Sequence, residues 1–278
     1  MQTQRWPKRR AAGSLALSLA LVLGLSGCGQ QATPAAAAPA QTPLASLTVA
    51  NSRLAGALQQ AEANNTPPPS LADATSGPVV RAAWDSAVLA SIAGGTDADY
   101  AVLCGQAQRN WRAYLEFGRA RAGLTQTPED SAPMGQLVDA NVARFTPEMT
   151  LGNVFHIDCE ARRAGPYAAY LQGLTPEQRT DAVRRGAAES RAGLANMVIS
   201  AVRMQTTPMS AQTRQAMLDP AVRNADTFAA AIDPSQRRAV IDAVNQALTT
   251  DLNPPARAGL ERIRDTMGRD DCTGLCAF

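Results

Sequence analysis

Lysine is almost missing from this sequence: of 26 basic residues in 278, only Lys8 is a lysine. No lysine is therefore placed to serve as a P-loop cation, a Schiff-base amine or half of a Ser-Lys dyad. Histidine is as scarce. His156 stands alone, which excludes a two-histidine metal site or an HExxH zincin and leaves one residue able to act as a triad base. Alternating runs of Val, Ile and Thr, the signature of half-buried strands, are absent too. The arginines do not gather into the basic face that nucleic acid requires. Arg184-Arg185 and Arg237-Arg238 interleave with Asp and Gln and read as solvated faces. No nucleic-acid partner, metal site or cofactor is expected.

What is present begins with a leader. Residues 1–10 carry Arg5, Lys8, Arg9 and Arg10 and no acid; an apolar run follows over 11–25, and then Ser26-Gly27-Cys28. Charged, apolar and small residues in that order predict a signal peptide over 1–27. Its apolar run falls short of the roughly 20 residues that a spanning helix needs. Leu25-Ser26-Gly27-Cys28 resembles the lipobox of bacterial lipoproteins. The resemblance implies that Cys28 becomes the first residue of the mature chain, carries acyl chains such as palmitate, and anchors the protein in a membrane. Two or three chains give a stable anchor where one binds only marginally. Gly29 and Gln30 in place of an Asp imply, by the same resemblance, the periplasmic face of the outer membrane rather than the inner membrane. Cleavage removes four basic residues and no acid, so the side-chain charge changes from +2 to −2. The basicity of the whole chain belongs to export, not to an anionic partner.

After Cys28, uncharged Ala, Pro, Gln and Thr extend to residue 43 and predict a flexible tether. Leu44, Leu47, Leu54 and Leu58 then share a stripe, which predicts a peripheral amphipathic helix over 44–63 that packs on the domain. Asn64-Asn65-Thr66-Pro67-Pro68-Pro69 opens a Pro-rich linker over 64–77, and 78–278 reads as one helical domain. Thr127-Pro128-Glu129, Thr146-Pro147-Glu148 and Thr175-Pro176-Glu177 each offer a capping hydroxyl, a proline and an acid for a helix start; Asp219-Pro220 and Asp233-Pro234 repeat the logic. One helix is expected over 97–122, with Tyr100, Leu103, Ala107, Trp111, Tyr114 and Gly118 facing inward. Another is expected over 176–206, with Gly186 and Gly193 admitting a close neighbour. The fold class is all-α: an irregular antiparallel helical bundle, disulfide-stapled, behind a lipidated tether.

Four cysteines remain beside Cys28 in an oxidising compartment, and they allow three pairings. Cys104–Cys159 with Cys272–Cys276 is favoured, the longer loop contributing about 4 kcal/mol and the shorter roughly 2; pairings that staple the tail to the core stay open. Two clusters could carry chemistry. His156 and Glu160 lie four apart on one helical face, with Asp158 between them, which suits an acid–base set. Arg162, Arg163, Tyr167 and Tyr170 combine the residue types found at interface anchors. The leading expectation is a lipid-anchored, periplasm-facing module that binds a protein or cell-envelope partner, as an assembly factor, inhibitor or immunity-type protein would. The alternative is a periplasmic hydrolase centred on His156 with Asp158 or Glu160. In cells fed labelled palmitate, the chain is expected to take up label and C28A to take up none; label retained in C28A would refute lipidation at that residue.

Overall fold

The computed structural model describes residues 42–278 except 126, 128, 129, 270, 271 and 273. The leader, Cys28 and the tether lie outside the described residues, as do Pro128 and Glu129. Among the described residues there are eleven α-helices and no strand. They are α1 (Pro43–Asn64), α2 (Gly77–Ala83), α3 (Ser86–Ser91), α4 (Asp97–Leu115), α5 (Ser131–Arg144) and α6 (Thr146–Gln172). After these come α7 (Asp181–Arg203), α8 (Ala211–Arg223), α9 (Ala225–Ala231), α10 (Pro234–Leu248) and α11 (Pro254–Met267). The starts are chemically marked. Thr42, Thr180, Ser210, Asp233 and Asn253 each accept a first-turn N–H, and Thr96 forms a reciprocal capping box with Asp99.

The core has two parts, joined along α6. On one side, α1 to α4 bury Leu54, Val80, Trp84, Leu103 and Tyr114 against Phe155 and Cys159 of α6. On the other, α7 to α11 bury Leu194, Val198, Phe228, Val244 and Leu260 against Ile157, Ala161, Ala164, Ala168 and Leu171 of α6. Phe155 and Ile157 lie two residues apart, about 200° around the helix, so α6 is buried on opposite faces. The first core is aromatic: Trp84, Tyr114, Phe145 and Phe117 follow one another with ring centroids 5.8, 5.6 and 6.1 Å apart. The second is built largely of alanines, whose small side chains let helices approach closely.

Helix α4 runs antiparallel to α6. Arg163 meets Asp97, the Cys104–Cys159 disulfide joins the middles with Cα atoms 5.6 Å apart, and the Trp111 indole donates to the Met149 carbonyl at 3.0 Å. Cys272–Cys276 closes the tail, where Leu275 is buried in the second core. Helix α1 runs in the same sense as α4, because α2 and α3 carry the chain back between them: Asn110 donates to the Asn51 carbonyl and Gly118 N–H to Glu62, both at 2.9 Å. With Leu47, Asn51, Leu54 and Leu58 all buried, α1 is an element of the first core rather than an appendage.

Several local expectations give way to burial. Residues 64–77 are tied down: Glu148, 3% exposed, accepts from the Ser70 hydroxyl at 2.9 Å and from Leu71 N–H at 2.6 Å, and the Tyr114 hydroxyl donates to the Pro69 carbonyl at 2.7 Å. Thr146 is accordingly no cap; its hydroxyl donates to the Val142 carbonyl at 2.7 Å, and Glu148 serves the loop instead of the helix dipole. Pro220 lies inside α8, so Asp219 caps nothing. The 176–206 helix divides into a 3₁₀ turn at Pro176–Gln178, which Thr175 does cap, and α7. The α4 helix stops at Leu115, before Gly118 turns left-handed at φ +87°. Arg237, expected on a solvated face, is 2% exposed and donates to the carbonyls of Ile232 at 2.9 Å and Arg269 at 2.6 Å.

Close helix approach falls at Gly152 rather than at Gly186 or Gly193. A Cβ on Gly152 would sit 3.0 Å from both Trp111 and Trp84, whereas one on Gly193 would meet nothing within 4 Å. G152A is therefore expected to lose about 1–3 kcal/mol of stability through overpacking. G193A is expected to gain up to about 1 kcal/mol from helix propensity. Chemical denaturation of the two variants checks both signs.

Candidate functional site

Two opposite faces of α6 are buried, and the stripe between them holds most of the candidate site residues. His156, Glu160, Arg163, Tyr167 and Tyr170 follow steps of four and three, so they share one side of the helix. The helix reaches Tyr170 only because it continues through Gly165-Pro166 to Gln172. A proline inside a helix costs about 3 kcal/mol; here burial of Ala164, Ala168 and Leu171 on the second core holds the last turns in place. Arg162 and Arg163 are thus mid-helix residues, not the end of one.

Arg163 organises the outer part of this stripe. Its Nε donates to Asp97 Oδ1 at 2.7 Å, its Nη1 lies 3.7 Å from Glu160 Oε2, and its guanidinium stands 5.3 Å over the centre of the Tyr167 ring. Tyr167 stacks on Tyr170, with centroids 6.4 Å apart and planes 14° from parallel. Tyr170 ends the stack 52% exposed. Arg162, expected beside these residues, turns away: it donates to the carbonyls of Ala90 at 2.8 Å and Ile92 at 3.4 Å and holds the end of α3. Asp97 takes its place in the cluster, reached through the α4–α6 register that local spacing does not reveal.

The proposed catalytic trio does not assemble. Asp158 points to the far side, where Arg223 Nε and Asn224 Nδ2 each donate to Oδ1 at 2.9 Å and a second Arg223 nitrogen binds Oδ2. Glu160 lies toward Arg163, and the buried Nδ1 of His156 has no hydrogen-bond partner. Without a carboxylate to orient it, His156 lacks the arrangement of a triad base. Burial pushes its pKa from 6.5 down to about 4, so the ring is neutral near pH 7. Burial raises the Glu160 carboxyl above its ordinary range, and the Asp97 charge adds to this while Arg163 opposes it. Among the described residues, no group of three His, Cys, Asp or Glu is placed to hold a metal ion, and no helix is long and apolar enough to cross a membrane.

A second feature had no signal in the sequence: a cleft of about 390 Å³ between α1 and α4. Leu58, Ala113 and Phe117 supply its apolar lining, and Arg109, Glu62 and Glu116 are among the charged residues on its walls. Each helix contributes an ordinary amphipathic stripe, and only their parallel placement makes a cleft. His156 lines neither this cleft nor the cavity of about 140 Å³ beside Arg179 and Phe278. Compared with known proteins, the chain matches no family model, no curated protein and no solved structure.

The folded-state pKa of His156 lies below that of the unfolded chain, so the unfolded chain binds the proton first as pH falls. The resulting stabilisation is complete above about pH 6.5 and is lost progressively toward pH 4, a change of about 3 kcal/mol. Glu160 acts oppositely: its contribution is present at low pH and is lost as pH rises from 4.5 through its raised value. Denaturation midpoints of wild type and H156Q between pH 7 and pH 4 are expected to differ in slope, the variant losing less stability on acidification. Parallel curves would contradict the buried neutral imidazole.

Proposed function

We propose that this protein is a lipid-anchored, periplasm-facing binding module that engages a protein or cell-envelope partner through the Arg163–Tyr167–Tyr170 face. The observation that carries this reading is the stack itself. Tyr170 is half-exposed, yet it is backed by Tyr167, which lies beneath an arginine fixed by Asp97. A rigid aromatic side chain with few rotamers to lose, beside a pre-positioned guanidinium, is the composition of an interface anchor. The lipobox resemblance at Leu25–Cys28 supplies the anchor, Gly29 and Gln30 in place of an Asp favour the outer membrane, and the uncharged tether supplies reach. An envelope assembly factor, an inhibitor and an immunity-type protein would each use such a face. The hydrolase reading finds less support, because Asp158 and Glu160 are engaged away from His156.

Site-specific photo-cross-linking in the intact envelope tests the proposal. Benzoylphenylalanine in place of Tyr170 is expected to give a discrete adduct that weakens several-fold when Arg163 is changed to Gln. The same probe in place of Val49, another exposed apolar residue, is expected to give none. No adduct at 170, or the same adducts from both positions, would sink the reading.

A further inference from the structure

The cleft between α1 and α4 is lined by none of the residues of the Tyr170 face, which draws only Asp97 from the opposite end of α4, and its charges are ordered. The two helices run in the same sense, with Asn51 beside Asn110 at one end and Glu62 beside Gly118 at the other. Arg109 therefore stands toward the first end, and Glu62 and Glu116 stand at the second. Arg109 donates to Gln106 Oε1 at 2.7 Å through Nη2, which leaves its other nitrogens available. Glu62 accepts from Gly118 N–H through Oε2, which leaves Oε1 available. Arg119 neutralises Glu116 at 2.6 Å, so the second end keeps the charge of Glu62. That end also receives the C-termini of both α1 and α4, whose carbonyl dipoles favour a cation. Between the ends, Leu58, Ala113 and Phe117 present an apolar surface.

An occupant that matches this pattern has an anion at one end, an apolar middle and a cation at the other. Arg109 and Glu116, which marks the end where Glu62 stands, are seven steps apart, about 10 Å along the helix. Three residues of extended peptide cover the same distance. We infer that the cleft binds a short peptide with free termini, about three residues long. Its carboxylate pairs with Arg109, its ammonium group with Glu62, and its central apolar side chain lies over Leu58 and Phe117. The site is independent of the Tyr170 face, and neither proposal requires the other.

Calorimetric titration of the full-length chain, purified in mild detergent, with alanyl-leucyl-alanine tests the assignment. The free tripeptide is expected to bind, and blocking either terminus, by N-acetylation or C-amidation, is expected to weaken it about tenfold. R109Q is expected to weaken the free tripeptide about tenfold while leaving the C-amide unchanged. E62Q, which keeps an acceptor for Gly118 N–H, is expected to do the same for the free tripeptide and to spare the N-acetyl form. Free leucine, too short to reach both ends, is expected to bind more weakly than the tripeptide. Absence of binding at millimolar tripeptide, equal binding of the doubly blocked peptide, or variants that weaken all forms alike would overturn the proposal. Cross-linking from position 170 is unaffected by any of these outcomes.

Discussion

Everything in this molecule is arranged around one constraint: α6 must bury two opposite faces at once. Phe155 and Cys159 belong to an aromatic core made by α1 to α4, while Ile157, Ala161 and Leu171 belong to an alanine-rich core made by α7 to α11. A helix buried on one side can roll or slide to fit its neighbours. One gripped on both sides cannot, because a rotation that improves one core exposes the other. The Cys104–Cys159 disulfide adds a covalent stop to the same register. The same grip lets α6 run past Pro166, where local preference alone would end it.

So tightly packed a centre leaves helix ends and loop backbone inside the protein, and buried polar side chains satisfy them. Asn51 donates to the Ala83 carbonyl at the end of α2, at 2.6 Å, and Asn141 donates to the carbonyls of Leu115 and Phe117 at the end of α4, both at 2.9 Å. Glu148 receives the backbone of the 64–77 segment, and Arg237 gathers carbonyls beside the tail. Each replaces water for a group that burial has cut off, which is where unmet hydrogen bonds cost most. Asn51 and Arg237 fall on the buried stripes of their own helices, so helical spacing marks the positions while the polar residue type reads as surface.

The two proposed binding sites lie on surfaces that this packing does not consume. One is the narrow stripe of α6 between its two buried faces, where Arg163 is held by Asp97 and supports the Tyr167–Tyr170 stack. Its residues were legible in the sequence as a group of the right types, apart from two errors with one cause. Arg162 and Asp158 lie close in sequence to the stripe but about a third to half a turn around the helix, where α3 and α8 claim them. Nearness in sequence grouped residues that direction separates. The other surface, the α1–α4 cleft, was not legible, because it exists only where two separate helices lie side by side.

The sequence by itself determined that the described chain is helical, where several helices begin, and which apolar residues turn inward. These follow from caps, prolines and a period of 3.6, all set within a few residues. It also limited the chemistry, since a single histidine and the lack of lysine beyond position 8 hold in any fold. Tertiary structure alone decided that Glu148 would anchor a loop, that Arg237 would be buried, that Gly152 rather than Gly193 would meet a neighbouring helix, and that α1 and α4 would enclose a cleft. Each of those outcomes depends on which distant element arrives, and burial then outweighs local preference because an unpaired buried group or a steric clash costs more than a cap or a propensity supplies.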